Sequence, residues 1–275
     1  MYLLNTFKQL KRDNKKITVV TSYDHYTARI INETNVDGIL VGDCSSMVMH
    51  GETNTIFSDI NILAHHVKWV SKGAPDKLII ASMPFLSTKK GIKDAVENVE
   101  LLMKAGAQAI KIEGADGNEE VIRTLTMAGI PVIGHVGLMP SMHYMTGGFK
   151  AQGRTPEEAE RIIQDAVKME SMGCIAVVLE AVPYTLGAAV SSSIEIPVVG
   201  VGAGLNVDGQ ALVLQDLLGL ISDFKPKFVR RYLNGAELFT HAINAFVEDV
   251  HNLNFPSETE FYKAKTAELI SFDAG

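Results

Sequence analysis

Ala107-Gln-Ala-Ile-Lys-Ile-Glu-Gly114 reads as one short buried strand, and the reading of this stretch decides the fold. Ala109, Ile110 and Ile112 supply its apolar body and Gly114 ends it. Lys111 and Glu113 stand two apart, so the pleat sends both side chains to one face. Two full charges on a buried strand are costly unless they are paired or employed. An edge strand with one wet face is the plainer reading of this stretch by itself. Against it stands the recurrence of the same unit along the chain.

Ala105-Gly106 leads to Glu113, Ala128-Gly129 to His135, and Met172-Gly173 to Glu180, each time as helix, glycine, apolar strand and polar end. Apolar residues at 95, 96, 99, 102 and 103 have helical spacing over Asp94–Ala105, and Gly106 suits its C-terminus. A helix over about Glu119–Ala128 precedes Pro131–Val136. Thr155-Pro-Glu-Glu158 gives a cap, a first-turn proline and first-turn acids to a helix that Gly173 stops. Further strands are expected at Ile17–Tyr23, Gly38–Asp43, Leu78–Met83, Ile175–Glu180, Ile196–Val201 and Gly209–Leu214. Asn61–Lys72 is expected to be helical and Cys44–Gly51 to be a loop, while a further segment, Phe228–Leu233, follows the last strand ahead of a helical stretch from about Ala236. Alternating elements with apolar strands predict a parallel sheet covered by helices, and about eight strands in this length predict a (β/α)₈ barrel. The expectation is one such domain over residues 1–275, with an N-terminal capping helix and a C-terminal helical extension.

At 275 residues, 47% hydrophobic and 21% charged, the chain has the composition of a soluble globular protein. A net charge of -7 and the lack of a basic stripe argue against nucleic acid, and no apolar run is long enough to span a bilayer. The basic start, Met1–Lys16, lacks the apolar centre of a signal peptide and reads as a short capping helix. Two cysteines are too few for a disulfide framework and point to a reducing compartment. In a barrel, Cys44 and Cys174 fall at opposite mouths and stay unbridged.

Polar residues at the C-terminal ends of barrel strands line one mouth, where active sites sit. Here these are Asp24, Asp43, Lys111, Glu113, His135 and Glu180. Singly, Asp24 reads as a helix cap, His135 equally well as a satisfied core histidine, and Glu180 as an acid where a strand exits. Their joint placement favours a site. His65 and His66 read as structural or exposed helix residues, and His50 and Glu52 lie in a loop that admits either reading. No Cys/His spacing indicates zinc. Asp43 and Glu113 suit a hard divalent ion such as Mg²⁺, with Glu180 as general base, a grouping fit to enolise a 2-oxo acid with Lys111 and the metal holding the enolate.

Several motifs occur in order: Val19-Val-Thr-Ser-Tyr-Asp24, Leu40-Val-Gly-Asp43, Ile110-Lys-Ile-Glu-Gly114, Gly134-His-Val-Gly-Leu138, Gly147-Gly-Phe-Lys-Ala-Gln-Gly-Arg154, Val178-Leu-Glu180 and Ile196-Pro-Val-Val-Gly-Val-Gly-Ala-Gly204. From about Ile17 to Tyr262 the chain resembles the ketopantoate hydroxymethyltransferase family, related to the phosphoenolpyruvate mutase/isocitrate lyase group. The resemblance implies a (β/α)₈ enzyme that moves a hydroxymethyl group from methylene-tetrahydrofolate to 3-methyl-2-oxobutanoate, giving 2-dehydropantoate on the way to pantothenate. It implies Mg²⁺ ligands at Asp43, Ser82 and Glu113, substrate contacts at Asp43, Cys44, Ser82, Lys111 and His135, and a general base at Glu180. It further implies a cytoplasmic homo-oligomer, commonly a decamer, with small-molecule partners only. Two residues depart from the family pattern: Cys44 stands where a serine is usual, and Ser82 where a metal-site aspartate is usual. An impaired homologue acting in binding or assembly, or a related Mg²⁺-dependent C–C lyase, are the alternatives.

Overall fold

A computed structural model of the chain describes residues 3–222 and 225–262. Eight parallel strands close on themselves in sequence order. They are β1 (Ile17–Thr21), β2 (Gly38–Val41), β3 (Leu78–Ser82), β4 (Ala109–Glu113), β5 (Val132–Gly137), β6 (Ala176–Glu180), β7 (Val198–Val201) and β8 (Gly209–Leu212). The closing pair is β1 with β8, in register Ile17 to Gly209.

The helices are α1 (Leu3–Arg12), α2 (His25–Asn32), α3 (Ser45–Val48), α4 (Ile60–Gly73), α5 (Ile92–Ala105), α6 (Glu119–Met127), α7 (His143–Thr146), α8 (Pro156–Ser171), α9 (Tyr184–Ser193), α10 (Leu214–Leu217) and α11 (Gly235–His251). Their start signals act locally. Asp24 caps α2 by accepting from the backbone N–H groups of Tyr26 and Thr27, Asp59 does the same for α4, and Thr155 caps α8. Such caps contribute about 1 kcal/mol each.

The pleat divides the apolar residues into two cores. Ile110 and Ile112 face outward, into the layer that β-strands share with helices. Ala109, with Ile80 and Ile133 from the neighbouring strands and Val199 from β7, fills the barrel itself. Phe7 of α1 is buried within that inner cluster, so the N-terminal helix packs against the barrel core. Lys111 and Glu113 share the inward parity of Ala109 and so reach the C-terminal mouth.

The expected strands form with ends shifted by a residue or two, but three stretches depart from expectation. The loop after β2 contains the single turn α3. Phe228–Leu233 forms a turn and a bend rather than a regular element. Helix α9 carries no clear sequence signal, because Gly187 interrupts it and three serines end it. That glycine is there for packing: a Cβ would lie 2.0 Å from the Ala203 carbonyl oxygen, on the β7–β8 connection.

Helix α11 is exposed along its length, with Phe239, Ile243 and Phe246 among its exposed apolar residues. Residues 263–275 of the expected C-terminal extension lie outside the described residues. Among the described residues no helix is long and apolar enough to cross a membrane.

Candidate active site at the barrel mouth

Four neighbouring strands set side chains at one end of the barrel. Register pairs Ser82 of β3 with Lys111 of β4, Glu113 with His135 of β5, and Gly137 with Glu180 of β6. Asp43 lies just past β2 and joins them by accepting a hydrogen bond from Ser82 Oγ at 3.1 Å. Gly137 has φ +90° and leaves room for Glu180, whose carbonyl oxygen would sit 2.4 Å from an added Cβ.

Lys111 is the hub. Its Nζ donates to Glu113 Oε1 at 3.0 Å and to His135 Nδ1 at 3.0 Å, and it lies 3.9 Å from Asp43 Oδ1. Burial opposes the ammonium charge, but Glu113 and Asp43 outweigh it and hold the Lys111 pKa above its ordinary value. Burial alone would raise Glu113; the Lys111 charge first, then the adjacent His135 and a hydrogen bond from the Ser141 backbone N–H, bring it well below the carboxylate range. Asp43 goes the other way: burial raises it, and the more distant Lys111 only partly compensates. Burial and Lys111 depress the His135 imidazolium, yet Glu113 and Glu180 outweigh both and its pKa is raised.

The ammonium of Lys111 has no lone pair, so its bond to His135 requires Nδ1 to accept. The neutral ring then carries its proton on Nε2. That atom has no hydrogen-bond partner and lies 3.4 Å from Glu180 Oε2. Glu180 is the more open carboxylate, with 19% of its side chain exposed against 7% for Glu113. It faces a cavity of about 780 Å³ that also reaches Asp43, Cys44 and Lys111. The arrangement offers a base at the cavity wall beside a fixed positive charge, the combination that proton abstraction next to a carbonyl needs.

Among the described residues no three His, Cys, Asp or Glu side chains are grouped closely enough to hold a metal ion by themselves. Asp43, Ser82 and Glu113 provide two carboxylates and a hydroxyl. That set is too lean for an all-protein cage. It does fit Mg²⁺, which binds through one or two carboxylates and takes its remaining ligands from water and substrate. The incompletely neutralised Asp43 is the feature that favours a second cation.

The structure brings Asp43, Ser82, Lys111, Glu113, His135 and Glu180 together, with Cys44 beside them on the cavity wall. Asp24 is used as a cap. His66 is buried away from the cluster, its Nδ1 2.6 Å from the Tyr23 carbonyl and its Nε2 3.0 Å from His50. His65 stacks on Trp69. Three supporting groups escaped the sequence reading. Ser141 acts through its backbone, which carries no residue signal; Asn118 donates to the carbonyls of Glu113 and Gly114; and the Tyr23 hydroxyl lies 2.8 Å from Cys44 Sγ.

A family model described as ketopantoate hydroxymethyltransferase matches residues 2–258. A 3-methyl-2-oxobutanoate hydroxymethyltransferase of Coxiella burnetii (strain CbuK_Q154) is 48% identical over 266 residues, covering 95% of this chain and 100% of the relative. One from Francisella tularensis subsp. novicida (strain U112) is 41% identical over 256 residues, covering 93% and 97%. Among solved structures, a phosphonopyruvate hydrolase in complex with oxalate and Mg²⁺ superposes with TM-score 0.62 at 12% identity, over 94% of this chain and 93% of that one. A 2,3-dimethylmalate lyase of the PEP mutase/isocitrate lyase superfamily gives 0.58 at 14% identity, over 97% and 92%. At such identities these two share the fold alone.

Both cysteines are free, and burial pushes each thiol up to about 12. Cys44 and Cys174 are therefore protonated near neutrality. The thiolate is the reactive form, and an unperturbed cysteine has a pKa of about 8.5, so alkylation of native protein at pH 8 is expected to be about a thousandfold slower than in denaturant. Thiol titration with and without urea measures this; rapid labelling of the native chain would contradict it.

Proposed function

We propose, on the premise that this chain belongs to the ketopantoate hydroxymethyltransferase family, that it transfers a hydroxymethyl group from methylene-tetrahydrofolate to 3-methyl-2-oxobutanoate, giving 2-dehydropantoate. The observation that carries the reading is Glu180 on the cavity wall with its neighbours Lys111 and His135 behind it. Glu180 takes the proton from C3 of the oxo acid. A small approach of His135 Nε2–H, which lies 3.4 Å from Glu180 Oε2, would hydrogen-bond that carboxylate and position it. Lys111 supplies the positive charge that the developing enolate oxygen requires. Water releases the methylene carbon from both folate nitrogens at the formaldehyde level, the nitrogens taking up the two protons of that water. C3 of the enolate then bonds to this carbon, and its oxygen takes the proton held by Glu180 to become the hydroxyl. Cys44 and the adjoining backbone contact the substrate carboxylate.

Asp43, Glu113 and the Ser82 hydroxyl would hold Mg²⁺, whose chemistry is to polarise the keto oxygen of the oxo acid. The neutral Ser82 is the one observation favouring an impaired homologue. We further propose a cytoplasmic homo-oligomer, supported by the two free cysteines and by the exposed apolar residues of α11. Sedimentation of the full chain is expected to show an assembly; a monomer at micromolar concentration would refute it.

Glu180→Gln keeps the shape and removes the basicity. It is expected to abolish exchange of the C3 hydrogen with deuterated water in the absence of folate, and an unchanged exchange rate would assign the base elsewhere. Ser82→Asp restores a carboxylate at the metal position. Because even outer-sphere changes at metal sites cost about 10–100-fold in affinity or activity, the Mg²⁺ concentration for half-maximal turnover should fall about tenfold. Coincident Mg²⁺ titrations of the two proteins would place Ser82 outside the metal site.

A further inference from the structure

The oxo acid is small, whereas the cavity it enters, at about 780 Å³, has the size that holds a drug-sized ligand. Part of its wall lies away from the Lys111 cluster. Helix α10, which follows β8, is tied over the mouth by Leu214 N–H donating to Thr21 Oγ1 at the end of β1. It presents Asp216 to the cavity, whose lining also includes Thr55, Tyr184 and Phe228.

Two polar groups of the cavity lining have no internal partner among the described residues. Thr55 Oγ1 is buried without a hydrogen-bond partner, in a residue only 1% exposed. The carboxylate of Asp216 makes no hydrogen bond or ion pair among the described residues, although it is half-buried; burial pushes its pKa up, with Arg231 opposing. Groups left unpaired at this depth are expensive unless a ligand completes them. Tyr184 and Phe228 remain exposed as flat apolar surface, and Lys225 and Lys227 stand exposed on the cavity wall.

We infer that Asp216 and Thr55 bind the amino-oxo-pyrimidine edge of the one-carbon donor, with Tyr184 and Phe228 against its ring. This rests on the reading that the donor is a reduced folate. A 2-amino-4-oxo-pyrimidine presents a ring N–H and an amino N–H side by side, which one carboxylate accepts with two oxygens. A hydroxyl that can donate or accept matches the neighbouring oxo or ring nitrogen. The aromatic side chains suit a planar heterocycle, and the two lysines suit the carboxylates of a glutamate tail.

The test separates the two substrates of the full chain in steady-state kinetics with Mg²⁺. Asp216→Asn is expected to raise KM for methylene-tetrahydrofolate about tenfold or more, as loss of a charge-assisted pair does, without raising KM for 3-methyl-2-oxobutanoate. Thr55→Val is expected to raise the same KM by a smaller factor, and Asp216→Glu to recover part of the loss. Calorimetric titration with tetrahydrofolate reads the donor's ring without any turnover. Asp216→Asn that binds tetrahydrofolate as tightly as the wild type overturns the assignment, as does a rise in both KM values together. Failure of the underlying reading shows differently, as a wild type that neither exchanges the C3 hydrogen nor binds tetrahydrofolate.

Discussion

One buried ammonium organises the functional end of this barrel. Lys111 is held between Glu113, His135 and Asp43, and no member of the group is tolerable alone in so dry a place. The consequence is a graded set of protonation tendencies made from ordinary side chains. The carboxylate nearest the ammonium, Glu113, is pressed towards full ionisation, and the one farther away, Asp43, is pulled towards protonation. The same ammonium fixes the His135 tautomer and so leaves the ring proton on Nε2, 3.4 Å from Glu180. Removing Lys111 would therefore disturb every charge at the mouth, including those it does not touch.

The barrel keeps this cluster apart from what stabilises it. Apolar side chains from all round the sheet, with Phe7, fill the interior, and the charges replace them only in the last layer before the mouth. A strand thus serves two purposes by position: Ala109 packs, Lys111 pairs, and Glu113 meets the loops. Substitutions at the inner positions act on packing, while those at the strand ends act on chemistry.

Much of this was legible in the sequence for a physical reason. Helix–glycine–strand units repeat because every β/α crossover must stop a helix and enter a buried strand, and the period-2 pleat obliges Lys111 and Glu113 to share a face. Asp43, Lys111, Glu113, His135 and Glu180 followed from strand ends, whereas Ser82 and Cys44 came from the family resemblance and Asp24 proved to be a cap. The unread parts depend on partners that are distant in sequence. Helix α9 is specified by Ala203 approaching Gly187, Ser141 serves through a backbone N–H, and Asp216 sits in a short turn whose importance comes from the cavity beside it. The sulfur of Cys44 gave no hint of its Tyr23 neighbour, since nothing in the spacing of residues 23 and 44 brings them together.

Closure of the sheet between its first and last strands also sets a timetable for the chain as it is made. β1 can pair with β2 almost at once, but its other edge waits for β8, roughly 190 residues later. At synthesis rates of about 5–20 residues per second this interval is roughly 10–40 s. Through that time Ile17, Val19 and the Phe7 side chain lack the Ala211 side of their cluster, and one strand edge stays open to pairing with other chains. The nascent protein is thus most exposed to misassociation late in translation, and the arrival of Gly209–Leu212 ends that period in one step.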